Sequence, residues 1–142
     1  QDVESHALNI WPADLKRLKT YNVDYQRVIF PGFAWSNWNG GKPNMIPRRG
    51  GEFFWRQAAQ VANQKLSAFI AMFDEYDEGT AIAKAAENAT MVPSDQPFLT
   101  LDADGISMDS DFYLRLAGAA TLVIKGQRPL TPHVPIPYRL KR

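Results

Sequence analysis

The chain has 142 residues, a net charge of +1, 45% apolar residues and no cysteine. That length predicts one domain, and the absence of a basic stripe argues against a nucleic-acid partner. Lack of cysteine excludes disulfides, thiolate catalysis and sulfur-ligated metals, and no apolar run approaches the roughly 18 residues a transmembrane helix requires, so no membrane partner is expected.

The chain opens Gln1-Asp-Val rather than with Met, so an upstream segment is expected to have been removed. Residues 1–20 predict helix in part. Pro12 suits a first helical turn, and Trp11, Leu15 and Leu18 share a face opposite Lys16, Arg17 and Lys19, with Asn22 helping to end it. Val28 to Phe30 is a short apolar strand that Pro31-Gly32 closes.

The loop from Phe33 to Gly51 is long for a compact domain, and loops of that length are more often functional than not. It interleaves Phe33, Trp35 and Trp38 with Asn37, Asn39 and Asn44, then runs Pro47-Arg-Arg-Gly-Gly51. Aromatic rings beside amides and guanidinium groups suit a sugar: the ring packs on the C–H face of a pyranose while amide and guanidinium N–H groups bond its hydroxyls. Trp35, Asn37, Trp38, Arg48 and Arg49 are therefore candidate substrate-binding residues. The competing reading places the rings in the core and uses the two arginines to neutralise acids further along.

A helix is predicted over 52–66, with Phe54, Ala58, Val61 and Ala62 in an apolar stripe. Next, Ala68 to Phe73 reads as a strand buried on both faces, and it feeds Asp74, Glu75, Asp77 and Glu78 before Gly79 redirects the chain. Acids at the carboxyl end of a strand are what a parallel α/β sheet places in its ligand crevice. Helix capping, a solvated turn or a hard-cation site are the alternatives. The alanine-rich stretch 80–87 predicts a short helix and 89–97 a loop. Phe98 to Leu101 predicts an extended piece, and Asp102-Ala-Asp-Gly-Ile-Ser107 a turn, since it lacks the third acid and the closing Glu of a calcium loop. Asp109 or Ser110 caps a last helix carrying Tyr113, Leu116, Ala117, Ala120 and Ile124 on one face. Gly126 ends it, and four prolines leave an extended tail. Strands alternating with helices indicate parallel β/α units. The chain is too short for a closed eight-fold barrel, which takes about 250 residues.

Four segments together resemble one group of proteins: Pro31-Gly-Phe-Ala-Trp-Ser-Asn37, Pro47-Arg-Arg-Gly-Gly-Glu-Phe-Phe-Trp55, Ala71-Met-Phe-Asp-Glu-Tyr-Asp-Glu-Gly-Thr-Ala-Ile82 and Ser110-Asp-Phe-Tyr-Leu114. The group is the glycoside hydrolase family 71/99-like proteins, related to endo-α-mannosidases. The resemblance implies an α/β fold: a partial (β/α)8 TIM barrel, of which this chain is the carboxyl-terminal portion, its last two to three β/α units, with the strand ending at Phe30 near the seventh and Ala68 to Phe73 the eighth. It also implies a Glu-x-x-Glu pair followed by Gly-Thr, matched by Glu75, Glu78, Gly79 and Thr80. The first Glu would act as a base on the sugar 2-hydroxyl to give an anhydro-sugar, and the second would protonate the leaving oxygen and then activate water. Glycoside cleavage needs one protonated and one ionised carboxyl flanking the bond, which fits that pair. Because i, i+3 residues lie on opposite sides of an ideal strand, the backbone must break near Tyr76 to aim both inward.

The sequence departs from the endo-mannosidase pattern, with Tyr76-Asp77 in place of an aromatic-His pair and Phe73-Asp74 in place of Phe-Asn. Mannosidase specificity is thus not carried over. The expectation is a retaining glycoside hydrolase in an extracellular or periplasmic setting, with Glu75 and Glu78 catalytic and Tyr76 joining the sugar-binding residues. Carbohydrate is the expected partner, with association to the remaining barrel portion or to a second copy, and no cofactor or metal is expected. The alternative is a lectin-like protein that binds sugar without cleaving it.

Overall fold

The computed structural model describes residues 3–140, so the first two residues of the predicted amino-terminal helical span lie outside it. The helical span forms two helices, α1 (Val3–Asn9) and α2 (Trp11–Thr20), with Pro12 in the first turn of α2. Asn22 takes a left-handed φ of 54° just beyond α2. Two strands follow, β1 (Gln26–Ile29) and β2 (Ser67–Ile70), paired in parallel with Ile29 opposite Ile70. Between them lie the short α3 (Ser36–Asn39), a 3-10 turn (Arg49–Gly51) and α4 (Glu52–Asn63); α5 (Phe112–Ile124) comes after β2. The order is two β/α units, as the alternation of apolar runs predicts.

Alternation along each strand explains which way the sheet faces. Ile29 is fully buried, and Ala68 and Ile70 pack beside it against the core built by α4 and α5. The opposite face carries Val28 and Phe69, a cross-strand pair that is 53% and 49% exposed. The expectation of a strand buried on both faces is therefore corrected. Helices α4 and α5 cover one face, and the other leaves Val28 and Phe69 about half exposed.

The core is apolar and aromatic: Phe54, Trp55, Ala58 and Val61 of α4 meet Phe112, Tyr113, Leu116 and Ala120 of α5. Those positions recur at helical spacing, which is why the two helices form and pack. Gly51 at the start of α4 has φ +90°, and a Cβ there would lie 2.7 Å from Leu116 Cδ2, so only glycine lets α4 approach α5 this closely. On the other side, the Arg27 guanidinium lies 4.4 Å from the Trp11 ring centre, joining β1 to α2.

Several local expectations change. β2 ends at Ile70 rather than Phe73, and α5 starts from Asp111, whose side chain makes no capping bond, rather than from Asp109 or Ser110. The alanine-rich segment 80–87 is not helical. Its Ile82 and Ala83 N–H groups donate to the carbonyls of Met72 and Phe73, and its Ala85 N–H donates to Ser110, so tertiary pairing overrides helix propensity. The proline-rich end is a strap rather than a free tail. Trp55 Nε1 donates to Thr131 O at 2.9 Å, and Arg115 Nη1 donates to Pro137 O at 2.9 Å. Asp109 accepts from the Leu140 N–H at 2.7 Å and ion-pairs with Arg139 at 3.6 Å.

Candidate functional site

Parallel pairing places the carboxyl ends of β1 and β2 on one edge of the sheet, so the aromatic loop after β1 and the acidic turn after β2 emerge together. The Ala71 N–H donates to Ile29 O at 2.9 Å, which carries the pairing one residue past the strands. Beyond that point the two segments are held mainly by side chains, with one further backbone bond between them.

Gln57, buried in α4, takes over as a substitute strand. Its Nε2 donates to Phe30 O at 2.8 Å and its Oε1 accepts the Phe30 N–H at 3.3 Å, which fixes the direction in which the chain leaves β1. Phe33 and Ile46 then exchange backbone bonds at 3.0 and 2.9 Å, closing the intervening residues into a compact lobe. Within it Trp35 meets Phe33 and Trp38 edge to face, with ring centres 5.6 and 5.8 Å apart. Both tryptophans are exposed, Trp38 by 66%, so the lobe presents ring surface to solvent rather than to the core.

The acidic turn reverses the chain where the sequence requires it. Gly79 N–H donates to Tyr76 O and Thr80 N–H to Glu75 O, both at 3.1 Å, so the backbone folds back between Glu75 and Glu78. Gly79 has φ +64°, a left-handed value, and sits against Leu99. Glu75 and Glu78 are half-buried, whereas Asp74 and Asp77 are exposed. Among the described residues no three acidic or imidazole side chains gather closely enough to hold a metal ion.

Three hydrogen bonds join the lobe to the turn. Ala34 N–H donates to Glu78 O at 2.7 Å, Asn37 Nδ2 donates to Asp77 Oδ1 at 2.8 Å, and Arg48 Nη2 donates to Gly79 O at 2.6 Å. The segment carrying Trp35 and Trp38 is thereby tethered to the turn carrying Glu75 and Glu78. Asn37 spends one amide hydrogen on this link.

Two candidates are placed differently from the sequence expectation. Arg48 is only 4% exposed, and its guanidinium lies 4.7 Å from the Tyr113 ring centre, out of reach of a solvent-borne sugar in this conformation. Burial lowers its pKa from the ordinary arginine value. Neither Arg48 nor Arg49 forms an ion pair with the four acids; Arg49 is exposed and its N–H donates to Asp104 Oδ2 at 2.5 Å. Tyr76 shows its ring to solvent, but its hydroxyl is engaged, donating to Lys84 O at 3.0 Å.

Several residues that shape the region carry no chemical motif. Asp104, from the turn at 102–105, also accepts from Asn44 Nδ2 at 2.7 Å and so pins the far end of the lobe. Gln57 and Tyr113 read in sequence as members of helical stripes. Only Asp104, in its Asp-x-Asp-Gly turn, gave any local sign of a polar task.

No protein-family model matches the chain, and no curated protein sequence matches it. Solved structures do. The GH99 endo-α-mannosidase of Bacteroides thetaiotaomicron superposes with a TM-score of 0.66 at 19% identity, over 84% of this chain and 33% of the enzyme. A second structure of that mannosidase, in complex with Bis-Tris propane, gives 0.65 at 18% identity, over 82% of this chain and 34% of the enzyme. The chain spans about a third of the length of the solved structures it matches, and over that third it has their fold.

Proposed function

We propose that this chain carries the acid/base edge of a glycoside hydrolase that acts on an oligosaccharide or polysaccharide. The observation that carries the reading is the tethering of exposed Trp35 and Trp38 to the turn holding Glu75 and Glu78, by hydrogen bonds from Ala34 and Asn37. Exposed rings offer a sugar a stacking surface, and the half-buried carboxyls beside them are the groups that glycosidic cleavage needs. The shared fold with a GH99 endo-α-mannosidase supports the same class of reaction.

Within this reading the mechanism retains configuration. Glu75 takes the proton of the sugar 2-hydroxyl as that oxygen closes on the anomeric carbon. Glu78 protonates the departing glycosidic oxygen and then deprotonates the water that attacks the anomeric carbon, while Glu75 returns its proton to O2 as the C1–O2 bond breaks. The free edges of β1 and β2 are where further strands of a barrel would pair, and Val28 and Phe69 would then face the barrel interior. An extracellular or periplasmic setting goes with a polysaccharide substrate.

The test uses the chain joined to its barrel partner segments and a panel of oligosaccharides, with reducing ends measured over time. Glu75→Gln and Glu78→Gln should each reduce turnover at least about a hundredfold. Unchanged hydrolysis in either variant removes that residue from the mechanism. Exposure of Trp38 also favours a second reading, a lectin-like protein. Quenching of tryptophan emission by sugars, with no reducing ends released by the unaltered protein, would select it.

A further inference from the structure

Arg48 is an expensive residue for this interior. Moving a guanidinium out of water is costly unless it is paired, yet no carboxylate forms an ion pair with it: Asp104 acts only through its charge, and Nε and Nη1 make no hydrogen bond of normal geometry. The Tyr113 hydroxyl is buried beside it, close enough to interact with the guanidinium but without a hydrogen bond of normal geometry. An apolar side chain of similar length would fill the space without that penalty. Stability alone therefore does not account for an arginine here.

Its one directional contact does. Nη2 donates to the carbonyl of Gly79, the residue that follows Glu78 and closes the acidic turn, at 2.6 Å. The stem passes so close to Gly32 that a Cβ there would lie 2.5 Å from Arg48 Cγ, and the head stacks on Tyr113 of α5. One side chain thus spans the root of the aromatic lobe, the last helix and the acidic turn. We propose that Arg48 is a positioning residue, holding Glu75 and Glu78 in register with Trp35 and Trp38 from beneath. The proposal rests on the hydrolase reading for its purpose, but its geometry is testable without turnover.

The test is amide hydrogen exchange on the unaltered chain, Arg48→Met and Arg48→Lys. The reporters are the N–H groups of Thr80 and Ala34, which bond to Glu75 O and Glu78 O. In Arg48→Met both should exchange at least about tenfold faster, the loss expected for one charge-assisted bond. Amides in the middle of α5 should exchange no faster, and thermal stability should be unchanged or higher. Arg48→Lys, which can return one donor to Gly79 O, should restore part of the protection. Protection of Thr80 and Ala34 within about twofold of the unaltered chain overturns the proposal, and so does loss of protection in α5 to the same degree. If Arg48→Met does not fold, Arg48→Lys alone must accelerate Thr80 and Ala34 selectively, or the proposal falls. In a hydrolysing protein, Arg48→Met should lower kcat with little change in KM. Selective exchange in a chain that never hydrolyses would overturn the hydrolase reading and leave the positioning role standing.

Discussion

Replacing Gln57 with methionine tests how the site is anchored. The two side chains have similar length and volume, so packing against Phe53 and Phe30 is kept and the polar contacts are removed. Three are lost: Nε2 to Phe30 O at 2.8 Å, Nε2 to Phe53 O at 3.0 Å, and the Phe30 N–H to Oε1 at 3.3 Å. Leaving a buried donor or acceptor unsatisfied costs about 1–3 kcal/mol. Phe30 is half-buried, so its N–H and C=O fall at the lower end, giving a total loss of roughly 2–4 kcal/mol. For a chain of this size that lowers Tm by about 6–12 °C. Urea unfolding should show the same loss with an unchanged m-value, since the surface exposed on unfolding is the same. Because Phe30 opens the aromatic lobe, sugar-dependent quenching of Trp35 and Trp38 should weaken as well. A loss below about 0.5 kcal/mol would refute the reasoning, since it would mean that water satisfies Phe30 and that Gln57 is dispensable.

Three further outcomes are expected. Gly51→Ala should destabilise by about 2–4 kcal/mol in chemical unfolding, because the new Cβ meets Leu116 Cδ2 at 2.7 Å and φ stays at +90°. Trp38→Ala should change stability by no more than about 1 kcal/mol, given 66% exposure, yet reduce oligosaccharide binding measured by calorimetry. Tyr113 is buried, its hydroxyl makes no hydrogen bond of normal geometry, and burial outweighs the neighbouring Arg48 charge to raise its pKa above the ordinary tyrosine value. A raised acid pKa means that the unfolded chain loses its proton first, so this contribution is intact below about pH 10 and is lost as pH rises from there towards the folded value. Tyr113→Phe should be neutral to stabilising at pH 7 and should flatten the alkaline fall in Tm.

Much of the fold was legible in the residues themselves. Val28 to Phe30 and Ala68 to Phe73 are short apolar runs, and the stripes on α4 and α5 recur at helical spacing, so two parallel β/α units follow from pattern alone. A backbone break near Tyr76 was expected, and the chain does reverse there, with Gly79 marking where the turn closes. The exposed aromatic rings and the acidic turn were likewise readable as composition.

What the sequence could not decide was which polar groups would be spent on the fold. Arg48 and Arg49 are adjacent and chemically alike, yet one is buried on Tyr113 and the other lies at the surface. The difference arises from α5, more than sixty positions away in the chain, and no local pattern encodes it. The same holds for the segment 80–87, whose alanines favour helix until the carbonyls of Met72 and Phe73 offer better partners. Residue types and periodicity determine which elements form and what chemistry they carry. Long-range packing alone decides which side chains are free to use it, because burial and hydrogen-bond satisfaction are properties of the assembled interior.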